Sequence, residues 1–542
     1  MKRILLVSIT ALLIACAGQQ QSSEERKVNA ERLKQNQSHK QPKPKIMETG
    51  SRLKSVAMSD QLSMTPATYP AMVEDRENYK HFENQPIQSV LKNPISTFSI
   101  DVDTGAYANV RRMLNQGQLP HKDAVRIEEL INYFSYNYQS PENWVQPFLA
   151  NTEMAPSPWN NEAHLLHIGI KGFEKLTAER PAANLVFLLD VSGSMNSPNK
   201  IGLLKSSLKL LSKQMTENDH VSIVVYAGAA GVVLEPTPGN NQAKIASALD
   251  QLSAGGSTNG AAGIHLAYQL AEQNKVEGGI NRILIATDGD FNVGTTDFEA
   301  LKTLVETKRK KGVSLTTLGF GTGNYNDHLM EQLADVGNGN YAYIDTIKEA
   351  NKVLVEQINS TLFTIAKDVK IQIEFNPSTV KEYRLIGYEN RQLKNEDFAN
   401  DKVDAGEIGA GHTVTAIYEV VLQGQQGWLT TSRYQKNPVS DNTSNEIAFL
   451  KIRYKKPDEN NSLLLQWPIM KNQIKTMAEA SQEFKFAASV AAFGQILRGG
   501  TYLKEFGYDD VLTLARKSKG SDHFGYRGEF LQLVSLAKGL AN

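Results

Sequence analysis

The chain holds a single cysteine, Cys16, among 542 residues. That excludes an intrachain disulfide and any zinc site built on Cys pairs. Excess charge is also missing: 58 Lys and Arg balance 58 Asp and Glu, so no basic footprint points to a nucleic acid. No apolar run is long enough for a membrane-spanning helix; the one at Ile4 to Ile14 is too short. The sequence lacks a G-x-S-x-G elbow, an H-E-x-x-H pair and a Walker lysine. The Gly-rich stretch Thr317 to Asn324 lacks the G-x-G-x-x-G spacing and reads as a βα turn. His220 and His265 fall within a strand and a helix and read as structural. His164 and His167, three apart in a strand, point to opposite faces and do not form a ligand pair. The expectation is a non-enzymatic protein, too long for one core and built of several domains.

The informative stretch is Leu185 to Ser194, LVFLLDVSGS. Its apolar run suits a strand buried on both faces of a parallel sheet. Asp190, Ser192 and Ser194 then fall at alternate positions in the loop past the strand's carboxyl end, where open α/β sheets bind ligands. Hard oxygen donors of this kind suit Mg²⁺ or Mn²⁺ better than zinc.

This D-x-S-x-S loop resembles the metal-ion-dependent adhesion site of von Willebrand factor A (VWA) domains. Two further motifs of that family follow in order: GGSTNG at Gly255 to Gly260 and ILIATDGD at Ile283 to Asp290. The resemblance implies a metal site of Asp190, Ser192, Ser194, Thr258 and Asp288. It implies Mg²⁺, or Mn²⁺ or Ca²⁺, held by the hydroxyls and usually one Asp directly, the other Asp acting through water. It also implies an open position filled by an acidic side chain of a protein partner, which is adhesion rather than turnover. Ser257 directly precedes Thr258 and would shift the ligand register by one if it served instead. Asp290 and Asn292, just beyond the motif, read as turn residues.

The whole chain then divides as follows. Residues 1–15 form a leader: Lys2 and Arg3, a short apolar stretch, then Leu13-Ile14-Ala15-Cys16, which resembles a bacterial lipobox. By that resemblance Cys16 carries lipid and tethers the protein to a membrane of the cell envelope, with Ala17 favouring the outer membrane in a Gram-negative host. Residues 16–85 are too polar to bury a core and read as a tether with a span of roughly 45 to 50 Å. Residues 86–183 read as a small α+β region with a strand at Asn93 to Thr104 and a helical stripe at Val125 to Tyr136. Asp101 and Asp103 read as the polar positions of a half-buried strand rather than a second metal site. Residues 184–362 alternate strands and helices, which implies a doubly wound, mostly parallel, Rossmann-like sheet. Residues 363–542 begin with alternating strands such as DVKIQIEF, which read as an antiparallel sheet or sandwich beside the A domain, and end in helices, expected at Ile474 to Leu497, Tyr502 to Ser518 and Tyr526 to Leu540. Both flanks resemble the extensions that accompany the A domain in a subset of bacterial lipoproteins.

Together these readings predict a lipid-anchored extracytoplasmic binding protein whose A domain engages a protein through a divalent cation. The alternative is an envelope assembly scaffold that acts through its flanks, with a structural metal; an enzyme with an unrecognised site comes third.

Overall fold

Residues 77–174, 180–289, 298–430, 445–457 and 459–541 are described by a computed structural model. The leader, Cys16, most of the tether, and Asp290 and Asn292 lie outside them. The amino-terminal flank supplies β1 (Gln88–Ser89), β2 (Ile95–Ser99), α1 (Gly105–Asn115), α2 (Ile127–Asn132), β3 (Phe148–Pro156) and β4 (His164–Gly172). The central region supplies β5 (Ala183–Asp190), α3 (Leu203–Ser212), β6 (His220–Tyr226), β7 (Ala230–Pro238), α4 (Gln242–Asp250), α5 (Gly260–Gln273), β8 (Ile280–Thr287), α6 (Phe298–Lys310), β9 (Ser314–Phe320), α7 (Asp327–Val336), β10 (Tyr341–Ile344), α8 (Ile347–Asn351) and α9 (Ile358–Leu362). The carboxyl-terminal flank adds β11 (Thr364–Phe375), β12 (Val380–Ile386), β13 (Ile408–Gly409), β14 (Thr413–Leu422), β15 (Glu446–Lys455), β16 (Ser462–Met470), α10 (Gln482–Leu497), α11 (Tyr508–Ser518) and α12 (Tyr526–Ala541).

The central strands pair in the order β10-β9-β8-β5-β6-β7. All pairs are parallel except β6 with the edge strand β7. Every residue of β5 is buried, as a strand covered on both faces requires. One face packs on Leu204, Leu208 and Leu211 of α3 together with Ile245 and Leu249 of α4; the spacing of the three leucines makes the apolar stripe of an amphipathic helix. The other face packs on Ile264, Ala267 and Ala271 of α5 and on Leu301 and Val305 of α6. This is the doubly wound α/β sheet expected from the alternation.

The two flanks, separate regions in the sequence, share their sheets. One antiparallel sheet runs β1-β12-β14-β4-β3, and the other runs β13-β11-β15-β16 with β2 also on β11. They enclose one core in which Phe98, Phe148 and Ile168 from the first flank meet Ile371, Tyr418 and Leu450 from the second. The central α/β region is therefore inserted between the halves of a β-sandwich. Beside it, α10, α11 and α12 pack with α1 and α2 around Tyr107, Phe134, Phe486 and Phe530.

Several expectations change. Asp101 and Asp103 lie past the end of β2, both buried. They pair with Arg391, at 3.1 Å and 3.0 Å, and Asp103 also accepts the Tyr341 backbone N–H at 2.8 Å. They are neither a metal site nor the solvent face of a strand. Glu77 to Gln85, placed in the tether by composition, meets the folded body: Glu77 pairs with Arg112 at 2.7 Å and Arg498 donates to the Phe82 carbonyl at 2.8 Å. The helix expected from Ile474 starts at Gln482, because Lys475 donates its backbone N–H to Met154 of β3 and that stretch runs beside the strand. Ser481 caps the helix by accepting the Phe484 N–H. Strand β16, without clean alternation in its sequence, pairs with β15 at the sheet edge, where Pro468 is tolerated.

His167 of β4 is buried against Phe484, and its Nε2 lies 2.9 Å from the Tyr138 hydroxyl. Burial holds its imidazole down at about 4. The unfolded chain therefore takes up this proton between pH 6.5 and 4 while the folded chain does not, so this contribution to stability is lost as pH falls through that window. Urea unfolding of wild type and His167→Gln across pH 7 to 4 checks this. The stability difference is expected to move in favour of the variant by about 3 kcal/mol by pH 4; a difference that does not change with pH contradicts it.

Candidate functional site

Strand order reverses at β5: the chain steps to β6 and β7 on one side and returns to β8, β9 and β10 on the other. Such a reversal opens a crevice at the carboxyl ends of the strands. Asp190 is the last residue of β5, and Asp288 directly follows β8, the neighbouring parallel strand. Both carboxylates are fully buried. The fold thus brings together the two acids that lie far apart in sequence.

Asp190 is held from three sides. It accepts the Ser192 backbone N–H at 2.9 Å, the Thr287 hydroxyl at 2.9 Å and the Tyr226 hydroxyl at 3.2 Å. Burial pushes its carboxyl above the usual range; the hydrogen bonds from Ser192 and Thr287 oppose this, and the charge of Asp288 adds to it. Ser192 and Ser194 bring their hydroxyl oxygens within 3.0 Å of each other. Ser192 is buried and Ser194 exposed, so the pair runs from the floor of the crevice to its rim. The Thr258 loop is laced to this one by backbone bonds, Gly193 N–H to the Gly256 carbonyl at 3.0 Å and Gly255 N–H to the Val191 carbonyl at 2.8 Å. Thr258 is half-buried there while Ser257 is exposed. The Ser257 hydroxyl lies 3.4 Å from where a Cβ on Gly228 would stand, which places it beside the turn between β6 and β7.

Asp288 has a partner that the sequence did not suggest. Lys200 donates to its Oδ2 at 2.8 Å and to Asn324 Oδ1 at 3.3 Å. The Lys200 side chain is only 10% exposed. It lies in a π turn, Pro198–Gly202, and passes over Gly321, where a Cβ would stand 2.3 Å from Lys200 Cε. Gly321 takes φ +76°, so both its backbone and the lysine call for glycine. Nothing in the SPNK segment distinguishes Lys200 from a solvated lysine; its role depends on the loop after β9, more than a hundred residues on, and so do those of Tyr226 and Thr287 depend on neighbouring strands.

Chemically the crevice offers two carboxylates, the hydroxyls of Ser192 and Ser194 and one ammonium, with half-buried Thr258 on the loop laced beside them. No group of three or more His, Cys, Asp or Glu converges among the described residues, so a hard-oxygen set with few charges is what a cation would meet. The donor set fits Mg²⁺ or Mn²⁺ by type. Gly193, Ser194, Gly255, Gly256 and Ser257 are exposed around the crevice, so the described part of the rim faces outward and the sandwich does not cover it.

Comparison with known proteins agrees with this geometry. The von Willebrand factor type A domain model matches residues 184–361, a von Willebrand factor model matches 73–167, and the model of the carboxyl-terminal part of YfbK matches 360–540. The uncharacterized protein YfbK of Escherichia coli is 48% identical over 86% of this chain and 81% of its own. The chain belongs to the YfbK family. A YfbK-family protein is thus a bacterial VWA protein with an amino-terminal extension and its own carboxyl-terminal domain. More distantly, the uncharacterized protein sll0103 of Synechocystis is 32% identical over 31% of this chain and 39% of its own. A solved von Willebrand factor type A structure from Catenulispora acidiphila is 14% identical, covering 71% of this chain and 89% of that one with a TM-score of 0.41. VWA domains generally mediate protein–protein interaction, and the domain points this YfbK-family chain to that kind of role. No helix among the described residues is long and apolar enough to cross a membrane.

Proposed function

We propose that this protein is a membrane-anchored extracytoplasmic binding protein whose VWA domain engages a protein partner through a divalent cation. The observation that carries the reading is the outward-facing rim over two buried carboxylates at the switch point of the sheet. Asp190, Ser192, Ser194, Thr258 and Asp288 would hold the ion, Mg²⁺ first and Mn²⁺ or Ca²⁺ as substitutes. Bound there, such an ion supplies a Lewis-acidic position for a carboxylate of the partner. Asp190 fixes the loop by accepting the Ser192 N–H, and Ser194 stands at the exposed edge where a partner arrives. Lys200 cancels the charge of Asp288, leaves the crevice with one net negative charge, and competes with a cation for that carboxylate. Binding rather than catalysis is the role assigned, with Cys16 as the lipid-bearing anchor to the cell envelope.

Affinity capture from detergent-solubilised envelope tests the partner, with wild type and Asp190→Asn as baits, each in Mg²⁺ and in EDTA. Asn keeps the shape and one acceptor oxygen, enough for Tyr226 and Thr287 at the cost of the Ser192 N–H bond, whereas Ala would remove all three. A partner lost with both the substitution and EDTA is the expected result. A partner retained in all conditions moves the function to the flanks, as a scaffold with a structural metal site.

Lys200→Met removes the competing ammonium and is expected to tighten Mn²⁺ binding by about tenfold, read by calorimetry on purified protein. Unchanged Mn²⁺ affinity contradicts the competition. Cys16→Ser is expected to release the protein from membranes on fractionation; a variant that stays membrane-bound after a high-salt wash contradicts lipid anchoring.

A further inference from the structure

A cleft of about 390 Å³, lined by none of the residues of the VWA crevice, lies where the segment after α8 meets the end of α2 and the loop before α12. Its volume lies in the range of small-molecule sites. Deep in it stands Lys352, whose residue is 2% exposed. The Lys352 Nζ has no hydrogen-bond partner among the described residues; it rests 3.8 Å over the Tyr133 ring and 5.7 Å from that of Tyr526. A buried ammonium without a hydrogen-bonding partner is costly, and burial pushes this one down to about 8.

The other charges of the cleft are mostly spoken for. Arg527 donates to Glu483 at 2.6 Å, and Asp522 accepts the backbone N–H groups of Arg527 and Gly528. Glu356 is the exception. It accepts neutral donors only, the Tyr526 hydroxyl at 2.9 Å and the Asn351 amide at 2.8 Å, and no cation lies within ion-pair distance of it among the described residues. The cleft therefore holds a cation and an anion four positions apart, neither with a contact ion pair among the described residues; Glu349, already bound by Arg111, acts on Lys352 only through space. Its walls are aromatic: Phe134 and Tyr526 inside, and Phe524 at the lip with 59% of its surface exposed.

We propose that this cleft binds a small zwitterion of amino-acid or dipeptide size, its carboxylate on Lys352, its ammonium on Glu356 and an apolar side chain against the aromatic wall. A ligand carrying both charges compensates both groups at once. A plain anion would face Glu356, and a plain cation would face Lys352. The site is independent of the VWA crevice and does not rest on metal binding.

Isothermal titration calorimetry on the purified full chain tests it, with L-phenylalanine and L-alanyl-L-phenylalanine as probes. N-acetyl-L-phenylalanine and L-phenylalanine amide, each with one charge removed, serve as controls. At least one zwitterion is expected to bind, and both blocked forms to bind more weakly by about tenfold or more. Lys352→Met and Glu356→Gln are each expected to weaken the zwitterion by a similar factor. Thermal melts show whether each variant is folded; Glu356 is half-exposed, so Glu356→Gln keeps the test open if Lys352→Met does not fold. Absence of binding by both zwitterions overturns the proposal. So does binding that the blocked forms match, or that folded variants leave unchanged.

Discussion

The neutralisation of buried carboxylates by arginines from the flanks is the constraint on which the architecture rests. Arg111 of α1 binds Asp345 at 2.8 Å, Glu349 at 2.7 Å, the Tyr133 hydroxyl at 2.8 Å and Glu529 of α12 at 3.1 Å. One guanidinium so joins the amino-terminal flank, the VWA domain and the last helix. Arg126 reaches Asp327 at 2.5 Å, and Arg391 of the other flank gathers Asp101, Asp103 and Glu331. The acids of Asp327, Glu331, Asp345 and Glu349 are all 5% exposed or less. Such charges are tolerated inside a protein only in pairs, and removing one partner costs about 3–5 kcal/mol. The planar, always charged fork of arginine suits this multiple pairing in a way lysine does not.

This geometry leaves the described rim of the candidate crevice exposed. The flanks grip the VWA domain at β10, α7 and α8, one end of the sheet, while the switch point between β5 and β8 lies in its middle. The short stretch around Glu77 and Asn78 meets the loop after β9: Glu77 accepts the Gly323 N–H at 3.1 Å, and Asn78 bridges to Asn326. The same loop carries Gly321 and Asn324, which seat Lys200 on Asp288. The chain's entry into the folded body is therefore joined, through one loop, to the lysine that balances the crevice.

The legible parts of the sequence were those whose physics is local. LVFLLD is strand-forming and apolar throughout, so its burial on two faces could be read directly, and the D-x-S-x-S spacing placed Asp190, Ser192 and Ser194 past its end. The alternation of strands and helices over 184–362 likewise implied the doubly wound sheet. Asp101 and Asp103 were misread because alternation with Ile100 and Val102 looks the same whether the facing medium is water or the guanidinium of Arg391. Lys475 lies in a helix-compatible stretch, yet its backbone N–H goes to Met154, a residue more than three hundred positions earlier. Strand β16 escaped because SLLLQWPIM has no clean alternation; its place as an edge strand follows from pairing with β15.

The sequence by itself determined the sheet type, the order of the site motifs and the lack of any cysteine pair, because these depend on composition and short-range periodicity. Tertiary structure decided what depends on encounters between distant segments: that the flanks are halves of one sandwich, that Lys200 sits on Asp288, and that Lys352 is buried without a hydrogen-bonding partner. A lysine's electrostatic role is set by which carboxylates and rings come within a few ångströms, and that is fixed only when strands far apart in the chain pair and the arginine clusters close around them.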